Sequence, residues 1–248
     1  MDDQRQHWGD AAKHGALASV IDPNDRRGMK NLYISNLRDD VLQRRLPSHN
    51  VSLLDFGCGS GNLSKALASR DRRITGIDIT PELLELAVEQ NDPETCKFVH
   101  YDGGVMPFAD RSFDFAVTYV VLSHIVDNEQ LLSTLTELHR TLKDQGEVLF
   151  IEQTRRQTTT TPDGIKKQRN VAEYVGLFER AGFEVASVEH VRKARFLPLY
   201  LIRYGLIGEA MFPLMRRLDS LFATLFPAPR TSYVDTLFAL RKQRQSNG

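Results

Sequence analysis

The chain has 248 residues, room for one α/β domain with additions or two small domains, and 41% of them are hydrophobic, enough for a proper core. Lysine plus arginine equals aspartate plus glutamate at 32 each, which argues against nucleic acid as a partner. Two cysteines, Cys58 and Cys96, exclude a disulfide framework and point to a cytoplasmic setting; the opening "MDDQRQHWGDAAKHG" has no apolar signal core, and no run of about 18 apolar residues suggests a membrane span.

Residues 1–47 read as a polar, helical N-terminal lid, broken by "DPN". From residue 48 short apolar runs alternate with amphipathic stretches. "VSLLDF" is a strand and "GNLSKALAS" a helix; "RITGIDI" is a strand, followed by the helix "TPELLELAVEQ" with Thr80 as N-cap and Pro81 at its first position. "CKFVHYD" and "SFDFAVTYVVL" are strands, and "NEQLLSTLTELHRTLK" is a helix stopped by "DQG". "EVLFIEQ" (strand), "NVAEYVGLFERAGF" (helix) and "EVASVEHVRK" (strand) complete a core over 48–192. Residues 193–230 interrupt the alternation with a long apolar and basic segment, an inserted helical cap, before a last strand and tail over 231–248. The pattern predicts an α/β, Rossmann-like fold: a seven-stranded, mostly parallel sheet with helices on both faces and the last strand antiparallel, whose ligand lies beyond the carboxyl ends of the strands.

Those strand ends carry the functional signal. Gly57, Gly59 and Gly61 follow Asp55 in the order G-x-G-x-G; a dinucleotide fingerprint would place its last glycine at position 62, which is Asn62. Asp78 ends the second strand, 19 residues after Gly59, and suits two ribose hydroxyls. Asp102 ends the third strand, where a carboxylate can meet an adenine amino group. Three strands ending in acids suit a cationic, phosphate-free nucleoside better than a phosphate-rich one, and S-adenosylmethionine (SAM) has that chemistry.

The passages "LLDFGCGSGNLS", "GIDIT", "FVHYDGGVMPFADRSFDFAVTYVVLSHI" and "LKDQGEVLFIEQ" resemble the class I SAM-dependent methyltransferases, in the branch that methylates quinones, sterols, sugars and other small molecules. The resemblance covers roughly residues 48–190 and the final strand. It implies that Asp55, Gly57, Cys58, Gly59 and Gly61 line the methionine and ribose portions, with Asp78 on the ribose, Ile79 on the adenine face, Asp102 and Gly103 at the adenine edge, and Tyr119 and Val120 near the methionine. The N-terminal stretch also resembles methyltransferases of bacterial cell-surface glycan assembly.

For methyl transfer to a hydroxyl, the candidate bases are His124 in "LSHIVD" and Glu152 in "FIEQ". The branch often carries two histidines where this chain has Ser123 and His124, so a packing role for His124 stands beside the catalytic one. No metal-ligand spacing is present, and His100 reads as structural. Trp8, Lys13, Arg27, Lys30 and Tyr33 are candidates for contacting cofactor or acceptor. The 193–230 segment closes the acceptor site, packs on the core or a second subunit, or rests peripherally at the inner face of a membrane with Arg203, Arg216, Arg217 and Arg230 toward headgroups. The expected activity is methyl transfer to an oxygen of a small molecule or glycan, including a lipid-linked one. The alternatives are a quinone or lipid methyltransferase, an NAD(P)-dependent oxidoreductase, and a catalytically silent binding protein.

Overall fold

The computed structural model describes residues 2–13, 22, 24–48, 50–194, 196–225 and 232–243. Arg230, expected to face a membrane, lies outside the described residues. Two helices precede the sheet, α1 (Asp2–Ala12) and α2 (Met29–Gln43). The alternating run then gives β1 (Val51–Phe56), α3 (Asn62–Leu67), β2 (Arg72–Asp78), α4 (Pro81–Gln90), β3 (Cys96–His100) and β4 (Phe113–Tyr119). After these come α5 (Asn128–Thr141), β5 (Leu142–Thr154), the short strands β6 (Thr159–Thr160) and β7 (Lys167–Gln168), α6 (Val171–Arg180) and β8 (Phe183–Lys193). The chain closes with α7 (Leu197–Arg203), α8 (Phe212–Leu225) and β9 (Val234–Lys242).

The main sheet has seven strands in the order β3-β2-β1-β4-β5-β9-β8, and only β9 runs antiparallel to its neighbours. The order reverses between β1 and β4, so the carboxyl ends of β1, β2 and β4 open a crevice at that switch point. Period-two alternation sends Leu54 and Phe56 to one face and Val51 and Leu53 to the other. On the first face α5 buries Leu131, Leu135 and Leu138, spaced as one helical stripe, each worth about 1.5–3 kcal/mol of transfer free energy. On the second face Leu37 and Leu42 of α2 and Leu63 and Leu67 of α3 close the sandwich. A third apolar cluster joins α2 (Tyr33, Ile34) to α7 (Leu199, Ile202) and α8 (Phe212, Met215).

Thr80 takes its expected place, one local expectation is corrected, and one element was not foreseen. Thr80 sits at the N-cap of α4, but its hydroxyl makes no capping bond; its amide is held by Asp78 Oδ1 at 2.9 Å. "DQG" makes no turn after α5: β5 begins directly at Leu142, and an irregularity against β4 absorbs residues 143–146. The stretch 159–168 forms an unforeseen hairpin, β6–β7, whose turn carries Asp163-Gly164 with Gly164 at φ 74°.

Candidate functional site

The chain must turn from β1 into α3 within five residues, and glycine makes that turn possible. Gly57 sits at φ 71°, and a Cβ there would lie 2.5 Å from Val121 Cγ2, so no other residue fits. The turn spends its own donors: the amides of Gly57 and Cys58 both bond to Ile77 O, that of Gly59 to Asp78 Oδ2 at 2.9 Å, and that of Gly61 to Cys58 O. A phosphate cradle needs such amides free. Here they tie the turn to β2.

Above this turn lies a cavity of about 830 Å³, toward the upper end of the ~300–1,000 Å³ of small-molecule sites. One wall is Gly57, Gly59, Asp78, Ile79, Tyr101 and Gly103. Asp78 is 8% exposed, and burial raises its carboxyl against the pull of the Gly59 and Thr80 amides. Each of its oxygens accepts one amide, which leaves lone-pair directions for two further donors. A carboxylate so held fits a vicinal ribose diol, and the flat apolar surface of Ile79 beside it fits a base. The residues present therefore fit SAM.

Four expected cofactor residues are placed differently. Asp55 is buried beneath the turn, where its Oδ2 accepts the Ser64 hydroxyl at 2.7 Å; burial lifts its pKa to about 6, and it does not line the cavity. Cys58 points into the protein, its thiol pushed up by burial. Gly61 serves packing: a Cβ there would meet Ala87 at 2.9 Å and Asn91 Nδ2 at 2.7 Å. Asp102 is exposed and folds back on the Gly104 amide at 3.0 Å, so Tyr101 and Gly103, not Asp102, reach the cavity. Tyr119 and Val120 line it as expected in place. Tyr119 lies under the Arg38 guanidinium, 5.2 Å from centroid to Cζ, a partner that sequence reading missed.

The opposite wall is built where β4 ends. Val120 adopts φ 57°, costly for a β-branched residue, and its amide bonds to Ile151 O at 2.8 Å. Glu152 corrects its expected role as base. It is fully buried and off the cavity, and its carboxylate accepts the amides of Leu122 and Ser123 at 2.7 and 3.2 Å. Burial raises its pKa to about 7. The fully buried Arg169 grips the same turn from its carbonyl side, donating to Leu122 O, Ile125 O and Val126 O at 2.8–3.2 Å. An anion on the amides and a cation on the carbonyls fix the loop that carries His124.

His124 lines the cavity. Its ring meets the edge of Trp8 at 5.0 Å, and its Nδ1 is buried with no hydrogen-bond partner among the described residues. Burial, with the charge of Lys166 behind it, depresses its pKa to about 3, so the imidazole is neutral at pH 7. Helix α1 is held over this wall by Gln4 Nε2, which donates to Ile165 O at 2.6 Å. Asp163, Ile165 and Lys166 of the hairpin complete it. Of the other N-terminal candidates only Lys30 lines the cavity. Lys13 pairs with Asp10 in solvent, Arg27 bonds to Tyr204 O, and Tyr33 is buried against Asp219. His100 is exposed, one ring nitrogen 3.2 Å from Ile79 O. Hairpin and Arg169 were missed, although the proline-aspartate-glycine run at 162–164 is a turn signal.

Comparison with known proteins agrees with this frame. Residues 54–150 match the family model of a methyltransferase domain. A demethylmenaquinone methyltransferase of Staphylococcus aureus is 36% identical over 107 residues, covering 41% of this chain and 43% of the relative. A sterol 4-C-methyltransferase of Caenorhabditis elegans is 29% identical over 123 residues, covering 48% of this chain and 36% of the relative. The chain thus matches less than half the length of these curated relatives. Among solved structures, a chain from the complex of the Haloferax volcanii Trm112 methyltransferase activator with its methyltransferase superposes with TM-score 0.65 at 21% identity, over 96% of this chain and 98% of that one. The cyclase SpnF superposes with TM-score 0.63 at 21% identity, over 85% and 81%. At such identities the likeness is one of fold, and the two folds serve differently named functions.

Proposed function

We propose that this chain, which carries a class I SAM-dependent methyltransferase domain, transfers a methyl group to a hydroxyl oxygen of a small acceptor held between the glycine wall and the His124 wall. The observation that carries the reading is the cavity itself, with a diol-ready Asp78 on one side and a neutral imidazole on the other. SAM supplies an electrophilic methyl on a sulfonium. Gly57 and Gly59 allow close backbone approach, Asp78 holds the ribose, Ile79 and Gly103 bracket the adenine, and Tyr119 and Val120 border the methionine. The protein's remaining work is to orient the acceptor, exclude water and accept a proton. Trp8 and α1 cover the site, and His124 is the base. Glu152 and Arg169 act by positioning the His124 loop.

A second reading is favoured by the names of the relatives: methylation at carbon of a quinone or sterol ring, for which His124 would again serve as base. Both readings fit an acceptor that arrives from a lipid surface. On α7 and its C-cap residue, Leu197, Tyr200, Leu201 and Tyr204 form an exposed apolar row at helical spacing, and the same helix lends Leu199 and Tyr200 to the cavity wall. The row supports apolar contact with a bilayer. Headgroup attraction has less support, because Arg216 pairs with Asp40 at 2.8 Å and Arg203 bonds to Asn24 O at 2.9 Å. No helix among the described residues is long and apolar enough to cross a membrane.

Titration calorimetry with S-adenosylhomocysteine tests the cofactor assignment. Micromolar binding, with none of NADH or NADPH, is the expected result; the reverse would replace the methyltransferase reading with an oxidoreductase one. A labelled-methyl screen over phenols, quinols, sterols and glycans then tests the acceptor, and product found only at carbon would select the second reading.

A further inference from the structure

Four cationic side chains reach the cavity wall: Lys30, Lys166, Arg192 and Arg203. Three have an acidic partner: Lys30 pairs with Asp22 at 2.5 Å, Arg203 lies 3.8 Å from that same Asp22 oxygen, and Arg192 pairs with Asp235 at 2.9 Å. The fourth is different. The backbone of Lys166 is pinned at the foot of the hairpin, its amide donating to Thr161 Oγ1 at 3.1 Å and its carbonyl accepting from the Thr161 amide at 2.8 Å. Its ammonium has no carboxylate within ion-pair distance among the described residues. Burial destabilises that charge, while the more distant fields of Glu152 and Asp235 favour it.

The acids of the cavity engage groups other than the Lys166 ammonium. Asp78 holds the amides of Gly59 and Thr80, Asp127 caps α5 through the Gln130 amide, and Asp163 accepts from Thr161 Oγ1 and the Ile165 amide. A half-buried cation without a counter-ion thus stands close enough to His124 for its charge to lower the imidazole pKa. The pair suits one event, the appearance of negative charge on an oxygen as it loses its proton.

We propose that Lys166 is the subsite for the reacting oxygen, and that the acceptor is a phenol or enol whose hydroxyl ionises as it is methylated. This rests on the methyl-transfer reading above and narrows its acceptor class. The hydroxyl proton is lost to solvent as the oxygen ionises beside the Lys166 ammonium. The oxygen lone pair forms the new O–CH3 bond, and the electrons of the broken CH3–S bond remain on sulfur as a neutral thioether. The oxyanion and the sulfonium cancel, and Lys166 is left with a neutral ether, which favours product release. An anionic substituent remote from the reacting oxygen would gain nothing from a base beside the cation.

The test uses 4-nitrophenol, whose ionisation is read from its absorbance, with the wild type, Lys166→Arg and Lys166→Met, each saturated with S-adenosylhomocysteine. In the wild type and Lys166→Arg the bound phenol should show its pKa lowered by about one unit, roughly a tenfold rise in the ionised-to-neutral ratio. Lys166→Met should abolish the shift while S-adenosylhomocysteine binding, followed by calorimetry, stays the same in all three. The proposal is overturned if the shift survives in Lys166→Met, if Lys166→Arg loses it equally, or if 4-nitrophenol binds unshifted or not at all. A wild type that fails to bind S-adenosylhomocysteine would instead refute the methyl-transfer reading from which the proposal starts.

Discussion

On the β1–β2 side of the cavity the wall is built on a glycine turn, with Gly57 and Gly59 facing the ligand space and their amides returned to Ile77 and Asp78. On the β4–β5 side it is side chain: Trp8 from an N-terminal helix, His124 from a turn gripped by Glu152 and Arg169, and Lys166 from a hairpin. The first wall comes from the ends of three consecutive strands, and its glycine turn is tightly packed, because any Cβ at Gly57 collides with its neighbour. The second is assembled from three separate segments, around residues 8, 124 and 166.

The largest expected effect falls on the glycine wall. Gly57→Ala forces an L-residue to φ 71° and places a methyl 2.5 Å from Val121. Backbone strain and overpacking together should cost about 2–5 kcal/mol, read as a lower denaturation midpoint with an unchanged slope. A loss below about 1 kcal/mol would mean the turn is looser than described. Asp78→Asn comes next. It keeps one acceptor for the local amides but loses the charge on the ribose bonds, so S-adenosylhomocysteine should bind about 1.5–3 kcal/mol more weakly. An unchanged affinity would remove Asp78 from the cofactor wall. On the other wall Trp8→Ala should leave that affinity alone and raise the acceptor KM roughly tenfold, about 1.4 kcal/mol of lost contact. Equal weakening of both ligands would erase the distinction between the walls.

The same division explains what could be read from the sequence. The strand and helix pattern and the seven-stranded, mostly parallel sheet were legible because burial imposes alternation on β1 and a stripe on α5, and because glycine and aspartate close strands that feed a ligand site. Asp78 and Gly57 were legible for the same local reason. Asp102, Asp55 and Gly61 obey the same pattern yet serve other ends, since only three dimensions show which way a strand-end side chain turns. Glu152 looked like a base because it ends β5. Its carboxylate instead turns inward to the amides of residues 122 and 123, a pairing 30 residues long in sequence. Lys166 and Arg169 lie in "GIKKQRN", which reads as solvated charge until the hairpin folds it inward.

The smallest expected effect is an absence, and it bears on whether the His124 wall is dry. Burial puts the His124 pKa at about 3, against 6.5 for a free imidazole, so its ring should show no chemical-shift titration by NMR between pH 8 and pH 5. The unfolded chain takes up this proton near 6.5 and the folded one does not. Its contribution to stability is therefore complete above pH 6.5 and is lost as the pH falls toward 3. Glu152 has the opposite sign: held up at about 7 against 4.5, it favours the fold below pH 4.5 and loses that contribution as the pH rises through 7. Trp8→Ala should open the wall to water and bring back a His124 midpoint closer to 6.5. A wild-type midpoint already near 6.5 would mean that α1 does not cover the histidine in solution, and that water reaches the base before the acceptor does.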